Sequence, residues 1–242
     1  MIQIAIISDI HANLIALDAV LEDIQNRSIN QTYCLGDLVD FAPWGNEVIE
    51  KMKNKGIPCL LGNHDERIAF DIPIVPLPHH DQKETANRII AINHSKAAIT
   101  TENKKWLAAL PYNLELTYKI NEVTKKILLV HAGILNNDTY IHESDLKNDT
   151  AKELKNKGID ALIMGHTHLS YIQNNSDVLF VNSGSVGRSK ESNRKATYCM
   201  LTITEREITA EIIKINYDIH EVAQQIYNGN IPDFYGDFLL SK

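Results

Sequence analysis

The sequence predicts a mixed α/β fold in one domain, on three observations. Short isoleucine- and leucine-rich runs alternate with helix-period segments before residue 65, the rhythm of parallel βαβ units. Five apolar runs open directly onto loops that carry Asp, Asn or His. Beyond residue 170 consecutive strands follow one another across short turns, so an antiparallel part completes mixed sheets. A chain of 242 residues can bury a full core, and no linker, repeat or low-complexity tract divides it. A single domain over 1–242 is expected, with a core over about 1–217 and a C-terminal helix and tail over 218–242.

Residues 2–7, IQIAII, are too short for a helix and rich in β-branched side chains, which predicts a buried strand. The loop 8–13 follows. Asn13 is placed to cap a helix over about 14–26, where Leu14, Leu17, Leu21 and Ile24 recur at helical spacing. Residues 32–35 form a second strand and 46–55 a second helix, with Gly56 as its stop. Residues 57–61 read as a third strand ahead of Gly62-Asn63-His64-Asp65. Pro73, Pro76 and Pro78 then break the rhythm. The segment 71–80, with His79 and His80, is an irregular loop, either a lid over a site or an exposed connection. Helices are expected over 82–98 and 101–109, the second ended by Pro111. Strands at 112–119 and 125–130 make a hairpin leading into His131-Ala132-Gly133. A helix near 145–157 stops at Gly158, and the strand 161–164 opens onto Gly165-His166-Thr167-His168. Strands at 170–174, 178–182, 195–204 and 207–216 come next, with turns at Asn174-Asn175 and Glu205-Arg206. A helix near 218–228 and a polar, loose tail end the chain, and Trp44 and Trp106, at helix starts, are expected in the core.

Composition narrows the function classes. Hydrophobic and charged contents of 44% and 23% are those of an ordinary soluble protein. The net charge of −7 argues against extended nucleic-acid binding, while leaving room for a local cationic site that captures a phosphate. No run approaches the roughly 20 apolar residues of a membrane span, and the acidic Asp9 without a basic leader makes the N-terminus a strand, not a signal peptide. Cys34, Cys59 and Cys199 are odd in number and unevenly spaced, which reads as reduced, buried thiols. A cytoplasmic protein with no membrane partner is expected. Oligomeric state is not legible.

The loops carry the chemistry. They present Asp9 with His11, Asp37, Asn63 with His64, His131, and His166 with His168. Residues two apart in extended backbone share a face, so each i, i+2 pair can serve one centre. Functional loops of parallel sheets gather at the carboxyl ends of strands, so these five can meet. Taken singly, Asp9 and Asp37 suit turns or caps, and His131 a strand end. Their joint occurrence after successive buried strands suits a metal site. Two carboxylates, four imidazoles and an amide favour manganese, with iron, zinc, nickel, cobalt or magnesium as alternatives. Seven ligands exceed one catalytic zinc, which takes about three protein ligands. They fit two ions about 3.5–4 Å apart that share one carboxylate, and Asp37 is the natural bridge.

The blocks Asp9-Ile10-His11, Gly36-Asp37-Leu38-Val39-Asp40, Gly62-Asn63-His64-Asp65, His131-Ala132-Gly133 and Gly165-His166-Thr167-His168 stand in the order and spacing of the calcineurin-like metallophosphoesterases. The chain resembles the small bacterial and archaeal phosphodiesterase-type members, with Asn182-Ser183-Gly184-Ser185-Val186-Gly187 near the end of the core. The resemblance implies a four-layer α-β-β-α sandwich. It implies Asp9, His11, Asp37 and His168 on one divalent ion, and Asp37, Asn63, His131 and His166 on the other. It also implies in-line attack on phosphorus by a metal-bridging hydroxide. His64 would protonate or stabilise the leaving oxygen, with Asp65 orienting its imidazole and raising its pKa, and Asp40 either positioning a ligand loop or bracing a turn. A phosphodiesterase on small nucleotide-type substrates is the leading expectation. A dinucleoside-polyphosphate hydrolase and a non-catalytic metal-binding scaffold stay open. Two departures matter. Ser183 stands where many relatives have proline, which should loosen that turn. Phe41 follows Asp40 where the phosphoprotein phosphatase and symmetrical dinucleoside-polyphosphate hydrolase branches have a phosphate-gripping arginine, which points away from phosphoproteins and leaves Arg67 and Arg188 as candidate replacements.

Overall fold

The two faces of the first strand set the layering. In β1 (Ile2–Ile7), Ile4 and Ile6 point one way and Ala5 and Ile7 the other, and all four are fully buried. A strand apolar on both faces needs a cover on each. The structure, a computed structural model, describes residues 1–78, 80–175 and 177–241. It places a second sheet over Ile4 and Ile6, and helices over Ala5 and Ile7. After β1 the order is α1 (Leu14–Asn26), β2 (Thr32–Cys34), α2 (Gly45–Lys55), α3 (Asn63–Ala69), α4 (Gln82–Ala98), α5 (Thr101–Ala108), β3 (Asn113–Ile120) and β4 (Val123–Val130). Then come α6 (Asn148–Asn156), β5 (Ala161–Met164), β6 (Tyr171–Asn175), β7 (Val178–Asn182), β8 (Ala196–Ile203), β9 (Ile208–Ile215), α7 (Ile219–Tyr227) and α8 (Asp233–Leu240).

One sheet has the order β2-β1-β8-β9, the other β3-β4-β5-β7-β6. Both are mixed: β1 and β2 run parallel, as do β4, β5 and β7, and the remaining neighbours are antiparallel. Ile4, Ile6, Ile127, Ile163, Val181 and Leu201 fill the space between the sheets. Each such side chain contributes about 1.5–3 kcal/mol through burial. On one outer face α1 buries Ala16, Leu17, Val20, Leu21 and Ile24, starting where Asn13 Oδ1 accepts from Ala16 N–H at 3.0 Å. On the other, Ala151 and Leu154 of α6 pack on Leu162, Met164 and Phe180. The result is the four-layer α-β-β-α sandwich that the resemblance implies.

Four expectations need correction. Residues 57–61 form no strand, only the single bridge Cys34–Cys59, because Pro58 has no N–H with which to extend the pairing. The helix expected from 145 begins at Asn148, after a 3₁₀ turn at Glu143–Asp145. Trp44 and Trp106 are partly buried at the edge of the core, and Trp106 lies late in α5. The loose tail is instead α8. Its Phe234, Tyr235, Phe238 and Leu239 recur at helical spacing and pack with Phe41, Ala42 and Val222, a pattern masked by the polar Asn228-Gly229-Asn230 before it. The three cysteines are free and buried, and among the described residues no helix is long and apolar enough to cross a membrane.

Candidate active site and metal centre

Five loops carry the seven predicted metal ligands to one spot at the carboxyl ends of the strands. Asp9 and His11 follow β1, Asp37 follows β2, Asn63 opens α3, His131 follows β4, and His166 and His168 follow β5. Ligand atoms of Asp9, His11, Asp37 and His168 all lie within 4.8 Å of one another, as do those of Asp37, His131 and His166. Asn63 joins the second group with its Oδ1 3.0 Å from His131 Nε2. Asp37 belongs to both: its Oδ2 is 3.7 Å from His11 Nε2 and 3.5 Å from His131 Nε2.

The backbone reaches this arrangement by a route the sequence spacing does not indicate. The i, i+2 pairs are not extended: Asp9 (φ 54°), His11 (φ 48°), His166 (φ 65°) and His168 (φ 61°) are left-handed, as are Ala12, Asp37, Asp40 and Phe41. Eight of the thirteen described non-glycine residues with positive φ therefore lie in these loops, so backbone strain is concentrated at the site. Bonds between loops offset it. Asp9 N–H donates to Gly36 O (3.0 Å), His11 N–H to Asp37 O (2.9 Å) and Ala12 N–H to Leu38 O (2.8 Å). The block 182–187 clamps the same turn, Ser185 Oγ–H donating to Asp9 O at 2.8 Å and Gly187 N–H at 3.0 Å. Ser183 does not loosen it: its N–H donates to Met164 O at 2.9 Å, a bond that proline could not make.

Hydrogen bonds at the back of each ring aim a nitrogen at the cluster. Nδ1 of His11, His131 and His168 donates to Val39 O (3.1 Å), Leu35 O (3.1 Å) and Arg188 O (2.7 Å), which leaves Nε2 facing inward. His166 is reversed, with Nε2 on Asp138 O at 3.2 Å and Nδ1 left for the cluster. Burial pushes His11, His166 and His168 down, His166 to about 3, so these imidazoles are neutral near pH 7, the form that binds metal. Burial raises Asp37, and the charge of Asp9 raises it further. Asp9, against its own burial, is held low by His168. Asp9 Oδ1 is buried with no hydrogen-bond partner, and His11 Nε2 faces His168 Nε2 at 3.0 Å. Unpaired oxygen and nitrogen lone pairs converging in a buried space are a donor set that fits divalent cations.

His64 stands beside the cluster, its ring centroid 5.1 Å from that of His11. Its orienting carboxylate is Asp40, not Asp65. His64 Nδ1–H donates to Asp40 Oδ2 at 2.6 Å, and burial pushes Asp40 up to about 6. Asp65 is the third residue of α3, so its carboxylate reaches back along the helix. It accepts from Leu38 N–H (2.8 Å) and Gly62 N–H (3.1 Å), tying the Asp37 loop to the helix start. Nor is the His64 pKa raised: burial, then the charge of Arg67, push it down. The cluster opens into a recess lined also by Arg88, Tyr140, Arg188, Lys190 and Tyr235, of which sequence reasoning names only Arg188 as a candidate. Leu77 and His80 border it, so loop 71–80 touches the site, while His79 lies outside the described residues. A second recess, beyond Asn63 and Arg67, is lined by Ile72, Tyr112 and Leu135.

A sequence model described as the calcineurin-like phosphoesterase superfamily domain matches residues 2–206. An uncharacterized protein of Methanocaldococcus jannaschii, MJ0912, is 31% identical over 253 residues, covering 98% of this chain and 97% of that protein. Among solved structures, a metallophosphoesterase from Sphaerobacter thermophilus superposes with a TM-score of 0.77 at 21% identity, covering 99% of each chain. The hypothetical protein PH1004 from Pyrococcus horikoshii OT3 superposes with a TM-score of 0.80 at 21% identity, covering 99% of this chain and 98% of that one. Because the family match takes in all five loops, the chain belongs to the calcineurin-like phosphoesterase superfamily.

Proposed function

We propose that the protein is a metal-dependent phosphodiesterase acting on small nucleotide-type substrates, with two divalent ions, manganese foremost, sharing Asp37. Asp9, His11, Asp37 and His168 would hold one ion, and Asp37, Asn63, His131 and His166 the other. Bound there, the ions supply positive charge to the phosphate oxygens and lower the pKa of water. The observation that carries this reading is the position of Asp37 Oδ2 between the His11 and His131 nitrogens.

The chain's own residues supply the rest. With Nδ1 committed to Asp40, His64 keeps Nε2 for the substrate. In the metal-free protein, burial and Arg67 hold this imidazole neutral at pH 7. Protonated when the phosphate anion is bound, His64 would give the proton on Nε2 to the leaving oxygen. Two recesses, one lined by Asp37, His64 and His168 and one by Asn63 and Arg67, suit the two substituents of a diester. An oriented His64 also favours turnover over a metal-binding scaffold, which has no use for an acid.

The test is hydrolysis of bis(p-nitrophenyl) phosphate against p-nitrophenyl phosphate with each candidate metal. We expect the diester to be preferred, Asp37→Ala to abolish activity, and His64→Gln to lower kcat by about 10²–10⁴. Full activity under chelator, or a preference for the monoester, would overturn the proposal.

A further inference from the structure

We propose that Arg188, Lys190 and Arg88 form a second anion subsite beside the metal centre, built for a phosphoryl group joined through oxygen to the one being cleaved. The proposal rests on the phosphodiesterase reading and narrows it to pyrophosphate-linked substrates. The three cations line the recess that also exposes Asp37, His64 and His168. Arg188 is tied to the centre by its own backbone, since its carbonyl accepts from His168 Nδ1 at 2.7 Å.

Among the described residues none of the three forms an ion pair with a carboxylate. Arg88, only 5% exposed, has Nη1 on Val75 O at 3.0 Å, and Arg188 Nε is buried without a hydrogen-bond partner. Leaving cationic donors unmatched in a buried wall is unfavourable unless a ligand completes them. Apart from Asp37, the one carboxylate lining the recess is Glu84, which already faces His80 at 3.3 Å. Two divalent ions set against Asp9 and Asp37 suffice for the single charge of a diester. Apart from Asp37, the three further cations are set in the recess against Glu84 alone, which leaves positive charge that a second phosphoryl group neutralises.

The guanidinium is also held ready. Its Cζ lies 4.6 Å from the Phe41 centroid, 4.6 Å from that of Phe238 and 5.6 Å from that of Tyr235. Stacking on ring faces fixes the plane of the group and leaves its edge N–H donors for a phosphate.

The experiment is calorimetric binding of inorganic phosphate, inorganic pyrophosphate, AMP and ADP to manganese-loaded protein, with metal content measured before and after. We expect pyrophosphate to bind more tightly than phosphate, and ADP more tightly than AMP, by about tenfold or more. Lys190→Met and Arg188→Met should each reduce that preference by about tenfold. Because Lys190 is at the surface, its variant keeps the test decisive if Arg188→Met fails to fold. No preference in the native protein, or variants that weaken phosphate and pyrophosphate equally, would overturn the subsite. ADP binding more tightly than pyrophosphate would assign the diphosphate to nucleotides, and no gain from the nucleoside would assign it to another organic group. A protein that cleaves diesters but shows no preference overturns the subsite alone. One that shows the preference but cleaves no phosphoester overturns the function alone.

Discussion

Gly62→Ala tests whether the metal centre depends on two loops touching backbone to backbone. Gly62 has φ −78° and ψ 165°, which alanine adopts freely, so the substitution acts through its methyl group alone. That methyl would stand 2.9 Å from Asp37 Cα and collide with Asp37 N and Oδ1. Carbon atoms in contact prefer about 3.5–4.0 Å, so the Asp37 loop must retreat by about 1 Å. Overpacking of this kind destabilises by about 1–3 kcal/mol. The effect on the centre should be larger, because metal–ligand distances tolerate only about 0.2 Å and Asp37 serves both groups. Gly56→Ala is the control: φ is 61° and nothing lies within 4 Å of its added methyl. It should lower stability by about 1–2 kcal/mol and leave metal binding intact. Calorimetric manganese titration and thermal unfolding of both variants give the answer. Two ions bound to Gly62→Ala with native affinity would refute the steric argument.

Three other outcomes are expected. Manganese titrated into metal-free protein should raise the unfolding free energy by about 2.7 kcal/mol at a hundredfold excess over Kd, and Asp37→Asn should remove that gain; a melting temperature indifferent to metal would contradict the fit. In the metal-free protein the Asp40 pKa is raised, so its stabilising contribution is full at low pH and disappears as pH rises through about 6. The stability of the native protein relative to Asp40→Asn, measured by urea unfolding, should therefore fall by about 1.4 kcal/mol between about pH 5 and about pH 8, and a constant difference would count against it. Asp65→Ala strands the Leu38 and Gly62 N–H groups, which should destabilise by about 2–5 kcal/mol without changing the shape of the pH–activity profile; a shifted profile would restore Asp65 as the partner of His64.

What the sequence made legible follows from how local each signal is. The first strand and α1 are visible because burial on a sheet or a helix face imposes a period of 2 or 3.6 on a few neighbouring residues. The ligand loops are visible because metal-competent side chains recur directly after such strands. The partner of His64 is not, because Asp40 and Asp65 lie at 24 and 1 residues from it, and only the helical turn at Asn63 decides which carboxylate swings toward the ring. Adjacency in sequence favours the wrong one. Left-handed backbone at Asp9 and His11 is equally hidden, since no glycine marks it and bonds from other loops sustain it. The recess walls escape for a simpler reason. Arg88, Tyr140 and Tyr235 come from three separate segments with no shared pattern, and α8 carries its apolar stripe behind a polar stretch.

Phe41 and Arg188 gain their meaning together. Phe41 removes a cation from the position after Asp40, yet its ring, 5.0 Å from that of His11, becomes one face of the slot that holds Arg188. The other faces come from Phe238 and Tyr235, and Tyr235 also stacks on Phe41 with centroids 4.6 Å apart. A cation carried by the loop itself would depend only on that loop. This one depends on α8 being docked, so the C-terminal helix is part of the wall of the recess beside Asp37, His64 and His168. Arg194 strengthens the link, stacking over Phe238 at 4.1 Å while its Nη2 donates to Ser241 Oγ at 3.0 Å. Weakening the docking of α8 would therefore free the Arg188 guanidinium to move while its backbone carbonyl stays with His168 and the other ligands. On the proposed subsite, substrate preference would rest on the guanidinium held by α8, and metal binding on the loops that follow the strands.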